Sequence, residues 1–379
     1  MKIVIAPDSY KGTIKAAEVA DIIEKGVLEV FPDADISKIP FSDGGEGSAE
    51  CFHSAIGGDL IDAFVKDPLG RIVSAHYLYK DNLAIIESAQ ACGLPLLTEE
   101  EKNPRLTTTY GVGELIIQAL NKGVNKIVLT LGGSSTNDGG AGMAAALGVK
   151  FLNKLGESFI PVGETLSDIF SIDISNIDSR VFSTEFIGMC DVKNTVCGEF
   201  GASAVYSPQK GASSEDVALL EKGLCHLTQL KSKIDGKDYF AIEGGGAAGG
   251  LGFAVISFLK GKLVSGISLM MEIAEFDKKT GDADLLITGE GRLDRQSFMG
   301  KVIDGMSQKA INHHIPLIII AGSVTSEVTG EILKKHGVIL AESTDLTGKP
   351  FKEIKHRAKL DLALASVRVM IKYKEMISI

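Results

Sequence analysis

The sequence has no long hydrophobic run. Its most apolar stretch, Ile315–Ala321, is far shorter than the ~20 residues that a membrane-spanning helix needs, and its length suits a buried strand. The apolar run Ile3–Ile5, which follows Met1-Lys2, is too short for the core of a signal peptide. We therefore expect no membrane partner and a cytoplasmic location.

Cysteine is scarce, with five residues in a chain of 379. The number is odd and the residues are scattered through apolar stretches, so a disulfide framework is not expected. Cys190 and Cys197 are too far apart for a zinc knuckle and lack histidine partners. We expect buried free thiols at Cys51, Cys92, Cys190, Cys197 and Cys225.

Positively charged residues are fewer than negatively charged ones. The chain has 39 Lys and Arg residues and 49 Asp and Glu residues, which gives a net charge of -10. An acidic surface repels nucleic acid and anionic membranes, so neither is expected as a partner. A small anionic substrate is still compatible with this charge, because donors gathered in a cleft act locally. No interface stripe stands out in the sequence, and a homodimer is one assembly that we consider.

Short β-branched runs followed by helical patterns occur at both ends of the chain, which is typical of doubly wound sheets. They include the strand Lys2–Ala6, the helix Ala16–Val30 and the strand Asp284–Thr288. The middle begins differently, with Asp59–Val65 as the first of three alternating runs that resemble an antiparallel meander. Helix and strand patterns then resume, including a small-residue helix over Asp138–Leu147.

These patterns predict an α/β protein of two domains, which is also what a chain of 379 residues favours. The sequence lacks low-complexity tracts, so we expect order throughout. One domain is discontinuous, doubly wound and flavodoxin-like or Rossmann-like, and it combines residues 1–57 and 282–379. Residues 58–281 form a middle mixed α/β domain with a Gly-rich anion-binding loop.

The first polar loop follows the first predicted strand and contains Asp8, Ser9 and Lys11. Ligands bind at the carboxyl ends of strands in doubly wound sheets. Lys11 is therefore placed to neutralise a phosphate or carboxylate, and Ser9 to donate a hydrogen bond. A capped turn with a solvated lysine is the alternative interpretation.

The second polar loop, Phe41–Gly47, places two acids among three glycines. Glycines allow backbone N–H groups to approach an anion, and Asp43 and Glu46 are suited to hold a metal or a hydroxyl. The alternative is a flexible turn in which Ser42 or Asp43 caps the next helix. The candidate residues are Ser42, Asp43, Gly44, Gly45 and Glu46.

The third loop delivers glycines, hydroxyl residues, an amide and an acid to the start of the predicted helix Asp138–Leu147. Free N–H groups and the helix dipole favour anions at such a point. A closely packed Gly/Ala helix is the alternative, which explains Gly140 and Gly142 but not the polar run. We expect phosphate or carboxylate binding by Gly132, Gly133, Ser134, Ser135, Thr136, Asn137, Asp138 and Gly139.

The fourth loop is predicted over Thr288–Asp294, with Lys301 further along the chain. Glu290 and Asp294 are candidate magnesium ligands, and Arg292 is a candidate for stabilising transferred charge. A surface loop with an internal ion pair is the alternative. Gly289, Gly291 and Lys301 complete the candidate set.

A further predicted strand ends at Cys190 and is followed by Asp191, Lys193 and Asn194. These are plausible ligands, but Asp191 and Asn194 equally suit a turn that satisfies its own backbone groups. Gly244–Gly249 fits the G-x-G-x-x-G dinucleotide fingerprint, but no acidic residue ending a second strand follows it, so NAD is not expected.

Taken in order, these segments resemble the bacterial glycerate kinase family. The resemblance rests on Ala6–Gly12, Phe41–Gly47, Asp67–Gly70, Leu131–Gly140 and Thr288–Asp294. It implies ATP-dependent phosphorylation of D-glycerate, with 2-phosphoglycerate as the expected product. Phosphoryl transfer depends on positioning and charge stabilisation, and it uses Mg²⁺ to bridge ATP phosphates.

Candidate roles follow from that reaction. Asp43 or Asp191 is the base that accepts the hydroxyl proton, Lys11 and Arg292 stabilise charge, and the loop from Gly132 cradles phosphates. A non-catalytic sugar-acid sensor and an NAD-dependent oxidoreductase are the alternatives. The sensor predicts degraded acidic loops, which the sequence does not have.

Overall fold

The computed structural model describes residues 1–42, 44–45, 47–299, 302–349 and 351–378. The chain forms two compact units. Unit 1 comprises Met1–Asp43, Glu50–Gly57 and Ile267–Ile379, and unit 2 comprises Gly44–Ala49 and Gly58–Gly266.

The strands of the described residues run in both units. In chain order they are β1 (Lys2–Ile5), β2 (Asp35–Lys38), β3 (Asp59–Lys66), β4 (Ile72–Lys80), β5 (Leu83–Glu87), β6 (Lys126–Thr130), β7 (Lys150–Leu152), β8 (Ser158–Phe159), β9 (Ser171–Asp173), β10 (Glu185–Met189), β11 (Lys262–Val264), β12 (Leu285–Leu293), β13 (Leu317–Val324) and β14 (Val338–Ser343).

The α-helices of the described residues alternate with these strands over much of the chain. In chain order they are α1 (Ala16–Val30), α2 (Ser48–Ile56), α3 (Ala89–Cys92), α4 (Tyr110–Asn121), α5 (Ala141–Ala146), α6 (Ala202–Tyr206), α7 (Ser214–Asp235), α8 (Ala247–Ser257), α9 (Gly266–Ile273), α10 (Phe276–Thr280), α11 (Val302–His313), α12 (Gly330–Lys335), α13 (Phe351–Ile354) and α14 (Ala358–Ile377). None of them is long and apolar enough to cross a membrane.

Unit 1 contains a five-stranded parallel sheet with the order β14-β13-β12-β1-β2. Counted along unit 1 alone, this is the strand order 2-1-3-4-5 of flavodoxin-like sheets. Strands of such sheets are covered on both faces and read as continuous apolar runs. The runs Ile3–Ile5 and Leu317–Ile320 are accordingly fully buried.

Helices α1 and α14 cover one face of the unit 1 sheet, where side chains such as Ile5 and Ile287 join those of both helices in one core. The two helices approach closely at Gly26, because a Cβ built there would lie 2.5 Å from the Cβ of Ser366. Helix α11 packs against β12 and β13. Unit 1 therefore has the doubly wound arrangement that the βα patterns at the two ends predicted.

Unit 2 contains a six-stranded mixed sheet with the order β11-β10-β6-β5-β4-β3. Strands β11, β10, β6 and β5 are parallel, and the meander β3-β4-β5 supplies the antiparallel part. The α/β class and the meander are thus confirmed. A separate antiparallel sheet, β8-β7-β9, was not predicted, because its strands are too short to produce a recognisable alternation.

Two element predictions at candidate sites were wrong in their bounds. Strand β12 continues to Leu293 and pairs with β13 as far as Val324, so Gly289, Glu290 and Arg292 belong to a strand and not to a loop. Helix α5 begins at Ala141 and not at Asp138, because left-handed glycines at 139 and 140 precede it. The domain boundaries expected at 57/58 and 281/282 stay a prediction.

Candidate functional site

The carboxyl ends of four parallel strands meet at one edge of the unit 2 sheet. Glu87 ends β5 level with Thr130 of β6, Thr130 pairs with Met189 of β10, and Met189 pairs with Val264 of β11. The loops that follow these strands therefore emerge side by side. This edge is where open α/β sheets bind ligands.

The segment around Gly44 and Gly47 is fixed to this edge by Glu87 and Gly132. The carboxylate of Glu87 accepts hydrogen bonds from the Gly47 N–H at 3.2 and 3.1 Å. The Gly132 N–H donates to the Gly44 carbonyl at 2.9 Å, and a Cβ at Gly132 would lie 2.6 Å from that oxygen. The second and third glycine-rich segments of the sequence are thus adjacent in unit 2.

The candidate residues of the second loop are only partly among the described residues. Asp43 and Glu46 lie outside the described residues. Gly44 and Gly45 are at the unit 2 edge, and Ser42, which belongs to unit 1, is buried. Glu87 was missed as a site residue, because in the sequence it reads only as the last residue of a strand.

The polar side chains of the third loop, Ser134–Asp138, are buried. Within residues 131–140, all of which the structure describes, only Gly132 and Gly133 reach solvent. The side chains that follow are turned inward, where Ser135 donates to the Cys92 carbonyl and Asn137 donates to Ser203 Oγ at 3.1 Å. Ser134, Thr136 and Gly139 are also buried.

Asp138 occupies the start of α5 with its own carboxylate. It accepts hydrogen bonds from the Thr109 N–H and hydroxyl, both at 2.8 Å, and from the N–H groups of Gly140 and Gly142. Burial raises the pKa of Asp138, although these hydrogen bonds oppose the shift. The helix N-terminus predicted to bind a ligand anion therefore already holds an internal one.

Lys210 lies beneath the same loop and was not recognised in the sequence. Its ammonium donates to Ser134 Oγ at 2.9 Å and to the Thr136 carbonyl at 2.7 Å. Burial of this group lowers its pKa to about 8. It belongs to the single turn Pro208–Lys210, where a lysine is ordinary in sequence, so no local pattern marks it.

Asp191 follows β10 and is exposed at the unit 2 edge. Its Oδ1 accepts hydrogen bonds from Ser265 Oγ and the Gly266 N–H, both at 2.9 Å. These contacts orient the carboxylate while leaving it open to solvent. Asn194 differs, because its amide donates to the Phe200 carbonyl and accepts from Tyr206, which makes it a support of its own loop.

The segment Gly244–Gly252 packs against the third loop. The Gly139 N–H donates to the Gly249 carbonyl at 3.0 Å. A Cβ at Gly249 would lie 2.0 Å from the Thr136 carbonyl oxygen. This close backbone contact accounts for Gly249, the last glycine that fits the dinucleotide fingerprint.

In unit 1, β1 and β12 are neighbouring strands. The chain continues from β1 to β2 in one direction along the sheet and from β12 to β13 in the other. This is the topological switch point at which ligands bind in such sheets. The Asp8 N–H donates to the Gly289 carbonyl at 2.8 Å, and a Cβ at Gly291 would lie 3.5 Å from the backbone nitrogen of Lys11. The first and fourth predicted segments are therefore adjacent.

The side chains at the switch point differ in exposure. Asp8 is buried and accepts from the Ser9 N–H at 2.6 Å, whereas Lys11 is exposed. Tyr10 donates to the Ile320 carbonyl, and burial together with the charge of Glu290 raises the Tyr10 pKa. The pair Tyr10 and Glu290 was not recognised in the sequence.

Glu290 and Arg292 are two residues apart on β12 and so project to the same face of the sheet. The guanidinium of Arg292 is exposed, with its Nε 3.8 Å from Asp294 Oδ2. Asp294 Oδ1 accepts from the Gln296 N–H at 2.9 Å and caps the following turn. Lys301 lies outside the described residues.

Comparison with known proteins decides the family. The model of the glycerate kinase family matches residues 3–374. The chain belongs to the glycerate kinase family. The resemblance seen in the ordered sequence motifs is thereby confirmed.

Named members of the glycerate kinase family are similar along most of the chain. A glycerate kinase of Bacillus cereus is 47% identical over 86% of this chain and 86% of its own length. The glycerate 2-kinase of Escherichia coli is 43% identical over 89% of each. A crystal structure from Salmonella typhimurium LT2, provisionally assigned as glycerate kinase 2, matches with a TM-score of 0.88 at 39% identity and 100% coverage of both chains.

Proposed function

We propose that this chain transfers the γ-phosphoryl group of ATP to a hydroxyl of D-glycerate, giving 2-phosphoglycerate and ADP. The observation that carries the proposal is family membership over residues 3–374, with a relative named glycerate 2-kinase at 43% identity. The sensor is not favoured, because the acidic residues of the candidate loops are present in the sequence. The oxidoreductase is not favoured, because Gly249 of the dinucleotide-like segment packs against the third loop.

Asp191 is the described residue best suited to accept the proton of the glycerate hydroxyl. It is exposed, and two donors fix its orientation. A base held in position in this way contributes to phosphoryl transfer by orienting the nucleophile as much as by removing its proton. Asp43 is the alternative base.

Charge stabilisation is assigned to the exposed cations Lys11 and Arg292 of unit 1. In unit 2, the accessible backbone of Gly132 and Gly133 offers close approach to an anionic group. Ser134 to Gly139, being buried, support this backbone and do not contact substrate in our proposal. Asn194 likewise acts as a support.

Magnesium fits the oxygen donors at the switch point of unit 1. Glu290 and Asp294 are carboxylates, and Mg²⁺ is bound in kinases through one or two carboxylates together with substrate phosphates. Bound there, Mg²⁺ would neutralise charge on the phosphates of ATP. A cytoplasmic location and a homodimer stay predictions.

The test is ATP turnover by the purified chain, followed as ADP release. We expect turnover that requires both D-glycerate and Mg²⁺ and that stops when EDTA is added. Omission of glycerate and replacement by L-glycerate are the controls. ADP release that is indifferent to D-glycerate would overturn the substrate assignment, and folded protein without any turnover would overturn the activity.

A further inference from the structure

Three side chains with metal-binding atoms that the proposed phosphoryl transfer does not use lie together in unit 2. Glu221 and Cys225 are one turn apart on α7, and Cys197 lies in the segment after β10. The ligand atoms of the three residues all lie within 4.8 Å of one another. Sequence spacing gave no sign of this cluster, because Cys197 is brought to α7 only by the fold.

The distances suit a tetrahedral metal centre. Zinc lies ~2.3 Å from thiolate sulfur and ~2.0–2.2 Å from carboxylate oxygen, which places neighbouring ligand atoms about 3.5–3.8 Å apart at the tetrahedral angle. Cys225 Sγ is 3.5 Å from Glu221 Oε1. The remaining distances between ligand atoms are at most 4.8 Å.

The carboxylate of Glu221 is incompletely satisfied. Its Oε1 accepts from the Gly198 N–H at 2.6 Å. Its Oε2 is buried and has no hydrogen-bond partner in the described part of the chain. A buried oxygen without a hydrogen-bond partner is destabilising, and a cation beside it would remove that destabilisation.

The two thiols complete a donor set that selects for soft cations. All three residues are half-buried, which leaves a path for an ion from solvent. Thiolate ligands favour zinc and related metals, whereas Mg²⁺ prefers oxygen.

We propose that Cys197, Glu221 and Cys225 bind a thiophilic divalent cation of the zinc class, with water in the fourth position. On binding, each thiol releases its proton to solvent, and two metal–sulfur bonds and one metal–oxygen bond form. No electron is transferred and no oxidant is required. The ion would tie the segment after β10 to α7 and so stabilise the folded state.

The experiment uses the full chain, reduced and freed of metal with EDTA, and titrated with Co²⁺ as a spectroscopic probe and then with Zn²⁺. We expect a sulfur-to-cobalt absorption band that Zn²⁺ abolishes at one ion per chain. The band should be lost in C197S and C225S and kept in C190S, the matched control. E221Q should weaken Zn²⁺ binding at least tenfold, since even outer-shell changes cost 10–100-fold.

Two further readouts distinguish the proposed site from metal binding elsewhere in the chain and from a disulfide between the two cysteines. Zn²⁺ should raise the unfolding temperature of the wild type and of C190S but not of C225S, and it should protect Cys197 and Cys225 from alkylation. A cobalt band that persists in the C197S/C225S double variant would overturn the proposal. So would a Cys197–Cys225 disulfide that forms readily in air while reduced protein binds no metal.

Discussion

At the scale of single residues, the polar side chains at the carboxyl edge of the unit 2 sheet are of two kinds, buried and solvent-exposed. Asp138 and Lys210 are both buried. Lys210 donates to two residues of the third loop, whereas Asp138 accepts from its own loop and from Thr109. Asp191 is exposed and oriented by two donors. The buried pair supports the loop, and the exposed acid is the base in our proposal.

The buried ammonium predicts a pH-dependent stability. Lys210 has a folded-state pKa of about 8 against 10.5 for the ordinary lysine, so the unfolded chain holds more protons between these values and stability rises with pH there. We expect the free energy of unfolding of the wild type, relative to K210M, to increase by ~3 kcal/mol at most between pH 8 and pH 10.5.

Urea unfolding of wild type and K210M at pH 7.5 and pH 10 measures this difference. Comparison within the pair cancels other groups that titrate in the same range. A difference that stays constant, or that falls with rising pH, would show that the lysine is not destabilised as a cation in the folded protein.

Asp191 predicts a loss of turnover without loss of fold. In D191N the amide oxygen still accepts from Ser265 and Gly266, but the side chain no longer accepts a proton. We expect kcat to fall by about 10²–10⁴-fold, with thermal unfolding close to that of the wild type. D168N, which changes an exposed acid of a surface turn, is the matched control. Full activity in D191N would move the base role to Asp43.

At the scale of elements, the unit 2 edge depends on backbone segments that pass within contact of one another. The Gly44 carbonyl, the Gly132 N–H and the end of β10 come together because glycine leaves the space empty. Glu87 binds the neighbouring Gly47 N–H from the end of β5. The addition of a single methyl group at such a glycine is therefore expected to displace the backbone at this edge.

G132A tests this packing. The added Cβ would lie 2.6 Å from the Gly44 oxygen and 2.7 Å from the Gly45 Cα, so one backbone segment has to move. We expect a loss of about 1–3 kcal/mol in stability and a larger proportional loss in kcat/KM. G330A is the control, because a Cβ there meets no heavy atom within 4 Å in the described residues. Equal behaviour of the two variants would refute the close contact.

At the scale of the whole molecule, the sequence predicted what continuous local patterns encode. Helix α1 has the predicted bounds, and strand β1 differs from its predicted range only at the last residue, because apolar periodicity and strand burial extend over several residues. The acidic and glycine-rich segments were recognised because a loop that clusters carboxylates and glycines is energetically unfavourable unless it binds something. Their adjacency followed from the carboxyl edges of parallel sheets.

Other features depend on contacts that no local pattern records. Lys210 comes to the third loop from a distant single turn, and Cys197 comes to α7 from the segment after β10. The sequence also suggested exposure for Ser134 to Asp138, although burial in the fold turned these polar groups into internal supports. Whether a polar run faces a ligand or the core is decided by tertiary packing.

The measurement that tests the central claim most directly is ³¹P NMR of the pure chain with ATP, Mg²⁺ and D-glycerate, against glycerate-free and metal-free controls. We predict a new phosphomonoester resonance that coincides with added authentic 2-phosphoglycerate as ATP is converted to ADP. Coincidence with 3-phosphoglycerate would contradict the assigned hydroxyl. Unchanged ATP in the presence of folded protein would contradict the kinase assignment itself.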